Sequence, residues 1–178
     1  MDAADSAVLP QPSGIADGVE RQLDPRSIRL QQAIGWITAA GIASGSLLVV
    51  FIMWAANRFS LPLLLGLAPF WLAGNGSLAW FFHRWPVVEY RHTRYRVDAD
   101  GIEIRRGVYW RVVINVPRSR VQHTDVSQGP LERRFGLGTL VIYTAGTDHA
   151  RVDLSGLEHT TALRLRAHLL PHGPGDAV

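Results

Sequence analysis

Residues 34–56 and residues 59–82 contain no charged side chain, and only Asn57 and Arg58 separate them. The apolar core of a bilayer is about 30 Å thick, a distance that about 20 helical residues span. A core helix of a soluble protein that long shows a polar face, and neither stretch has one. Two such stretches joined by so short a turn predict a transmembrane helical hairpin, with spans at about 34–56 and 60–82. The first stretch begins too far along the chain, and the second follows it too closely, for a cleaved signal peptide. Trp36 and Trp54 near the ends of the first span, and Trp80 and Trp85 near the end of the second, stand where interfacial anchors belong.

Orientation follows from arginine. Arg21, Arg26 and Arg29 precede the hairpin and Arg84 and Arg91 follow it, while its turn holds Arg58 alone. The positive-inside rule then predicts a multi-pass protein with both termini in the cytoplasm. All 18 basic residues are arginine. With abundant Ala and Gly, that usage points to a GC-rich bacterial genome and so to a bacterial cytoplasmic (inner) membrane. Cysteine is absent, which removes disulfides, thiolate catalysis and Cys-ligated zinc together.

Composition divides the chain into four parts: residues 1–25, a disordered acidic tail; residues 26–85, a juxtamembrane segment and the hairpin; residues 86–170, a small soluble domain; and residues 171–178, a disordered Gly- and Pro-rich end. Within the hairpin, Gly41 and Gly45 form a GxxxG pair, and Ala73 and Ser77 a looser one. Small residues at that spacing let helices approach closely in lipid. Packing of the hairpin's own two helices is the expected use, with a homo-oligomer contact as the competing one. Pro62, Pro69 and Gly74-Asn75-Gly76 weaken the second span as a straight helix, and Asn75 is expected to make an interhelical hydrogen bond.

The soluble part reads as strands. Apolar and polar residues alternate around Ile102 and Ile104, around Val112, Ile114 and Val116, and around Leu140 and Ile142, the period of strands with one buried face. Asp98-Ala99-Asp100-Gly101 predicts a turn after a strand over residues 88–97. Gly107 predicts a bulge or sharp bend, Pro117 a strand end, and residues 144–148 another turn before a strand near 150–154. Ser155-Gly156-Leu157-Glu158 reads as a capping box, and Ala162, Leu165 and Leu169 form the apolar stripe of a closing helix. The expected class is α+β: the hairpin, then about six antiparallel strands in a curved sheet or partly open barrel, closed by a C-terminal helix.

Several stretches carry a resemblance: Tyr90-Arg91-His92-Thr93, residues 101–107 with Arg105-Arg106-Gly107, residues 116–122 with Pro117-Arg118-Ser119-Arg120, and residues 128–144 with Gly136-Leu137-Gly138. Together they resemble the YdbS-like family of bacterial membrane proteins, which carry a bacterial pleckstrin-homology-like domain after a pair of transmembrane helices. The resemblance covers about residues 23–170. It implies a seven-stranded sheet wrapped into a barrel-like shape and closed by a helix. It implies no catalytic residues, and it suggests as partner a larger membrane protein with several such domains.

Candidate contacts to lipid or a partner are Arg84 and Arg91 beside the span, then Arg105, Arg106, Arg133 and Arg134; the bland reading of the last four is a solvated face, or pairing with Glu103 and Glu132. Gly136 and Gly138 are read as backbone devices with positive φ rather than a phosphate cradle, because no P-loop pattern accompanies them. The seven histidines show no HxH or HExxH spacing, so no metal or other cofactor is expected. His123 and Asp125 lie two apart as an exposed polar pair. Interleaved acids and the lack of an aromatic stripe argue against nucleic acid. The reading is therefore a non-enzymatic, cytoplasm-facing module that binds other membrane proteins. Its alternative is an adaptor that touches membrane lipids through its arginines or serves an envelope-stress response.

Overall fold

The computed structural model describes residues 14–145 and 150–170. They divide into two compact units: the hairpin, Pro25–Arg91, and a β-rich unit that takes the chain up to Asp24 and from His92 onward.

In the hairpin, α1 (Arg26–Ala55) and α2 (Leu61–His92) are long, apolar and almost wholly exposed, as spans that face lipid must be. Their 30 and 32 residues give lengths of about 45 and 48 Å at 1.5 Å per residue, well beyond the apolar core. The excess lies away from the connecting turn, where Arg26, Arg29, Arg84 and Arg91 occur. The segment before the first span is thus the first turns of α1. Of the strand expected over residues 88–97 only Arg94–Val97 forms, because α2 runs through Pro69 and Pro86 to His92. Asn57, at φ 52°, makes the turn between the helices, a conformation asparagine tolerates better than most residues.

Small residues of α1 meet large ones of α2, but not at the glycines expected. Ser27, Leu30, Gly35 and Ala39 are the buried residues of α1. A Cβ on Gly35 would lie 2.7 Å from the Cβ of Phe82, whereas Gly41 and Gly45 have open space around them. Gly41 is two residues from Ala39, about 200° around the helix, so a seam through Gly35 and Ala39 turns the GxxxG pair outward. Hydrogen bonds that cross the hairpin include Gln32 Nε2 to the His83 carbonyl at 2.9 Å and Trp71 Nε1 to Ser46 Oγ at 3.0 Å. Asn75 is not among them. Its amide donates to the carbonyl of Trp71 on its own helix, at 3.0 Å.

The β-rich unit holds seven strands in two antiparallel sheets that do not close. β1 (Glu20–Gln22), β2 (Arg94–Val97), β3 (Gly101–Arg106) and β4 (Val112–Pro117) lie in that order in one; β5 (Val121–Ser127), β6 (Leu137–Thr144) and β7 (Arg151–Glu158) in the other. β1 corrects the expected tail. Residues 14–24 are structured, and β1 pairs with β2, Glu20 opposite Arg96, Arg21 opposite Tyr95 and Gln22 opposite Arg94. Three residues cannot announce a strand by periodicity; pairing makes this one. The hairpin is therefore inserted between two neighbouring strands of one sheet. Residues 1–13 and 171–178 of the expected tails, and 146–149 of the expected turn, lie outside the described residues.

Alternation holds except at Val112, which was expected on the buried face of β4 and is exposed. Ile102 and Ile104, Ile114 and Val116, and Leu140 and Ile142 are buried in one core with Val152, Leu154 and Leu157. Between β2 and β3, the Asp98 carboxylate accepts the backbone N–H groups of Asp100 (3.2 Å) and Gly101 (3.0 Å), the local bond that favours Asp in turns. α3 (Pro130–Phe135) precedes β6, and α4 (His159–Leu169) buries Ala162, Leu165 and Leu169 completely. Fully burying a leucine contributes about 1.5–3 kcal/mol, so α4 is a main support of the fold. Its start corrects the capping box. Residues 155–158 belong to β7, where Leu157 pairs with Gly138 and Glu158 with Leu137. Strand pairing and burial of Leu157 outweigh a local cap.

Candidate functional site

Among the described residues the buried polar side chains are Ser27, Thr93 and Thr124, and the candidate arginines are all on the surface. Arg84 and Arg91 are exposed on the part of α2 that outruns the apolar core. Seven residues are nearly two full turns, so they share one face of that helix.

At the end of β3 the structure splits the expected Arg105–Arg106 pair. Arg105 pairs with Glu103 through Nε at 2.5 Å and with Glu20 at 3.5 Å. The hydrogen bond that Arg105 donates to Glu103, and then the charge of Glu103, raise the guanidinium pKa above its ordinary value. Arg94 also reaches Glu20, at 3.3 Å. These exposed pairs order the outer face of β1–β3 and contribute little each to stability. Asp17, which accepts from the Val19 N–H and from Arg21 at 2.7 Å, is held below the ordinary carboxylate value by those bonds and secures the approach to β1. Arg106 differs: it is exposed and joins no ion pair among the described residues.

Arg133 and Arg134 lie elsewhere, exposed on α3 beside β6. Their expected partner Glu132 is committed to folding, since its carboxylate accepts the Gly129 N–H and the Thr139 hydroxyl, each at 2.7 Å. Gly136 ends α3 at φ 69°, as expected, but Gly138 takes no positive φ. Its surroundings are tight: a Cβ there would lie 3.2 Å from His159 Nδ1, so the imidazole would have to give by a few tenths of an ångström. Pro117 ends β4. The His123–Asp125 pair forms at 2.9 Å, both side chains more than half exposed.

The residues that reading alternation overlooked are Tyr109 and Trp110, exposed by 82% and 87% at the tip between β3 and β4. Two aromatics at consecutive positions cannot both face the core of an alternating strand, and that was the signal available. Gly107 makes the bend that displays them. Its φ is 113°, and a side chain there would collide with the Trp110 carbonyl oxygen. Beyond the tip, Val112 and Val113 are also exposed, at 41% and 60%, on the terminal strand of its sheet. Among the described residues no backbone group pairs with the outer edge of β4.

Two shallow clefts accompany these features. One of about 170 Å³ follows β4, lined by Ile114, Asn115, Val116, Pro117, Arg120, Thr144 and Ala145. The other, about 140 Å³, lies over the ion pairs of β1–β3. Both are well below the roughly 300–1,000 Å³ of small-molecule sites. No group of three metal-ligating side chains occurs among the described residues.

The comparisons agree with this architecture. A family model described as bacterial PH domain matches residues 28–172. The transmembrane protein YdbS of Bacillus subtilis (strain 168) is 36% identical over 104 residues, 55% of this chain and 64% of that protein, so slightly less than two thirds of the relative is covered. No solved structure matches the chain significantly. With two membrane-spanning helices set between the strands of an open PH-like sheet, the chain belongs to the bacterial PH domain family, as a membrane-anchored, YdbS-like member.

Proposed function

We propose that the protein is a non-catalytic assembly module of the bacterial cytoplasmic membrane, its β-rich unit facing the cytoplasm and binding other membrane proteins. The observation that carries this reading is the open outer edge of β4, six residues long with Val112 and Val113 exposed. Soluble proteins usually blunt such edges with lysine, proline or a bulge, and only Pro117 at its end does so here. An extended segment of a partner adds to an edge of this kind through main-chain hydrogen bonds, with side chains seated in the adjoining cleft. A larger membrane protein with several PH-like domains suits the role, because it offers strands of the same sheet type within the same membrane.

The test places a photo-crosslinking side chain at Val113 or Asn115 of the full-length protein in its native membrane. A membrane protein should be captured from either position, and Val113→Lys should abolish its co-purification while leaving the fold intact. Crosslinks to lipid alone at both positions overturn the reading. A second reading, headgroup binding by the shared face of Arg84 and Arg91, predicts that Arg84→Gln with Arg91→Gln leaves protein capture unchanged and weakens attachment to anionic lipid.

A further inference from the structure

The β3–β4 tip has the chemistry of a second membrane contact. We propose that Tyr109 and Trp110 enter the interfacial layer of the membrane that holds the hairpin, while Arg106 and Arg111 bind anionic lipid phosphates on either side of them. This rests on the membrane anchorage of the chain and is independent of strand addition at β4.

Four observations point to lipid as the occupant. Tyr109 and Trp110 are among the most exposed large side chains of the β-rich unit, at 82% and 87%. Tyrosine and tryptophan favour the headgroup level, where an apolar ring and a polar tip are both satisfied. The charge beside the tip is basic: Arg106 and Arg111 flank it, and the next cation along β3, Arg105, is paired with Glu103 and Glu20. Arg106 and Arg111 join no ion pair among the described residues, so their guanidinium forks are available to phosphate. The tip is also preformed. Gly107 closes it against the Trp110 carbonyl, and the Arg106–Val112 pair of the ladder lies directly beneath. Little conformational freedom is lost on insertion. Finally, the tether is short: β2 starts two residues after α2 ends. The β-rich unit is therefore tethered to the membrane helices by a short link.

The chain has no cysteine, so a single one reports cleanly. A spin label is attached at Tyr109→Cys, or at Ser155→Cys on exposed β7 as reference, in the full-length protein with one chain per nanodisc. Accessibility to oxygen, which concentrates in lipid, is compared with accessibility to a water-soluble nickel chelate. In anionic nanodiscs the label at 109 is expected to meet oxygen and be shielded from the chelate, while the label at 155 meets the chelate. Arg106→Gln with Arg111→Gln should lower the docked-to-free ratio by about twenty-five-fold, a factor of about five per arginine at an anionic surface. Zwitterionic lipid should act in the same direction. Equal chelate access at 109 and 155 in anionic lipid overturns the proposal. So does shielding of 109 from both reagents, which marks a protein contact instead.

Discussion

Gly136 and its neighbours Arg133 and Arg134 separate folding from binding at single positions. Gly136 stops α3 in the left-handed region, where its N–H donates to the Arg133 carbonyl at 3.2 Å. An L-residue there costs about 1–2 kcal/mol. Gly136→Val is expected to lower the thermal midpoint of the full-length protein in detergent by about 4–8 °C for each kcal/mol lost. Arg133→Ala with Arg134→Ala touches no internal bond and should stay within about 0.5 kcal/mol of the parent. Circular dichroism of the strand signal checks both. A stable glycine variant beside an unfolded arginine variant would make the turn a binding loop and the arginines structural.

At the scale of elements, the hairpin seam and β1 carry the informative tests. Gly35→Leu forces a side chain into Phe82. Overpacking of this kind costs about 1–3 kcal/mol. Gly41→Leu and Gly45→Leu enter open space and should leave the hairpin unchanged. Resistance of each variant to thermal unfolding in detergent gives the ranking, and a tolerant position 35 would disprove the seam. If the Gly41 or Gly45 variants alone lose stability, that face meets another chain. For β1, Glu20 and Arg96 are opposite one another across the ladder, where Cα atoms stand about 4.5–5.5 Å apart, within disulfide range. Glu20→Cys with Arg96→Cys should therefore oxidise readily to an intramolecular disulfide, seen as a mobility shift in denaturing gels. Failure to form it would detach β1 from the sheet.

For the whole molecule, the consequence of β1 is topological. A strand before the hairpin and a strand after it share one sheet, so both ends of the hairpin lie on one side of the membrane. Arginine asymmetry predicts that this side is the cytoplasm. A membrane-impermeant thiol reagent applied to intact cells should label Ser60→Cys and spare Ser155→Cys. Labelling of Ser155→Cys alone reverses the orientation and moves the proposed interfaces to the opposite face of the membrane. Because the hairpin enters between β1 and β2, the sheet is attached to the membrane at two adjacent strands rather than by a single linker.

The membrane hairpin was determined by sequence alone, because the cost of placing charge in lipid depends on residues one at a time and residues 34–56 and 59–82 carry none. The strands around Ile104, Ile114 and Ile142 and the stripe Ala162–Leu165–Leu169 were legible for a related reason: burial of one face leaves a period in the chain. Tertiary structure decided what periodicity does not encode. In a helix apolar all round, no residue marks the seam, and only the approach of Phe82 selects Gly35 over Gly41 and Gly45. Residues 20–22 are a strand because residues 94–96, beyond the whole hairpin, supply their hydrogen bonds. Residues 155–158 are a strand because β6 pairs with them more favourably than a local cap does. The exposure of Tyr109 and Trp110 was settled likewise: the bend at Gly107 turns both rings out of the sheet, a direction set by backbone geometry and not by side-chain type.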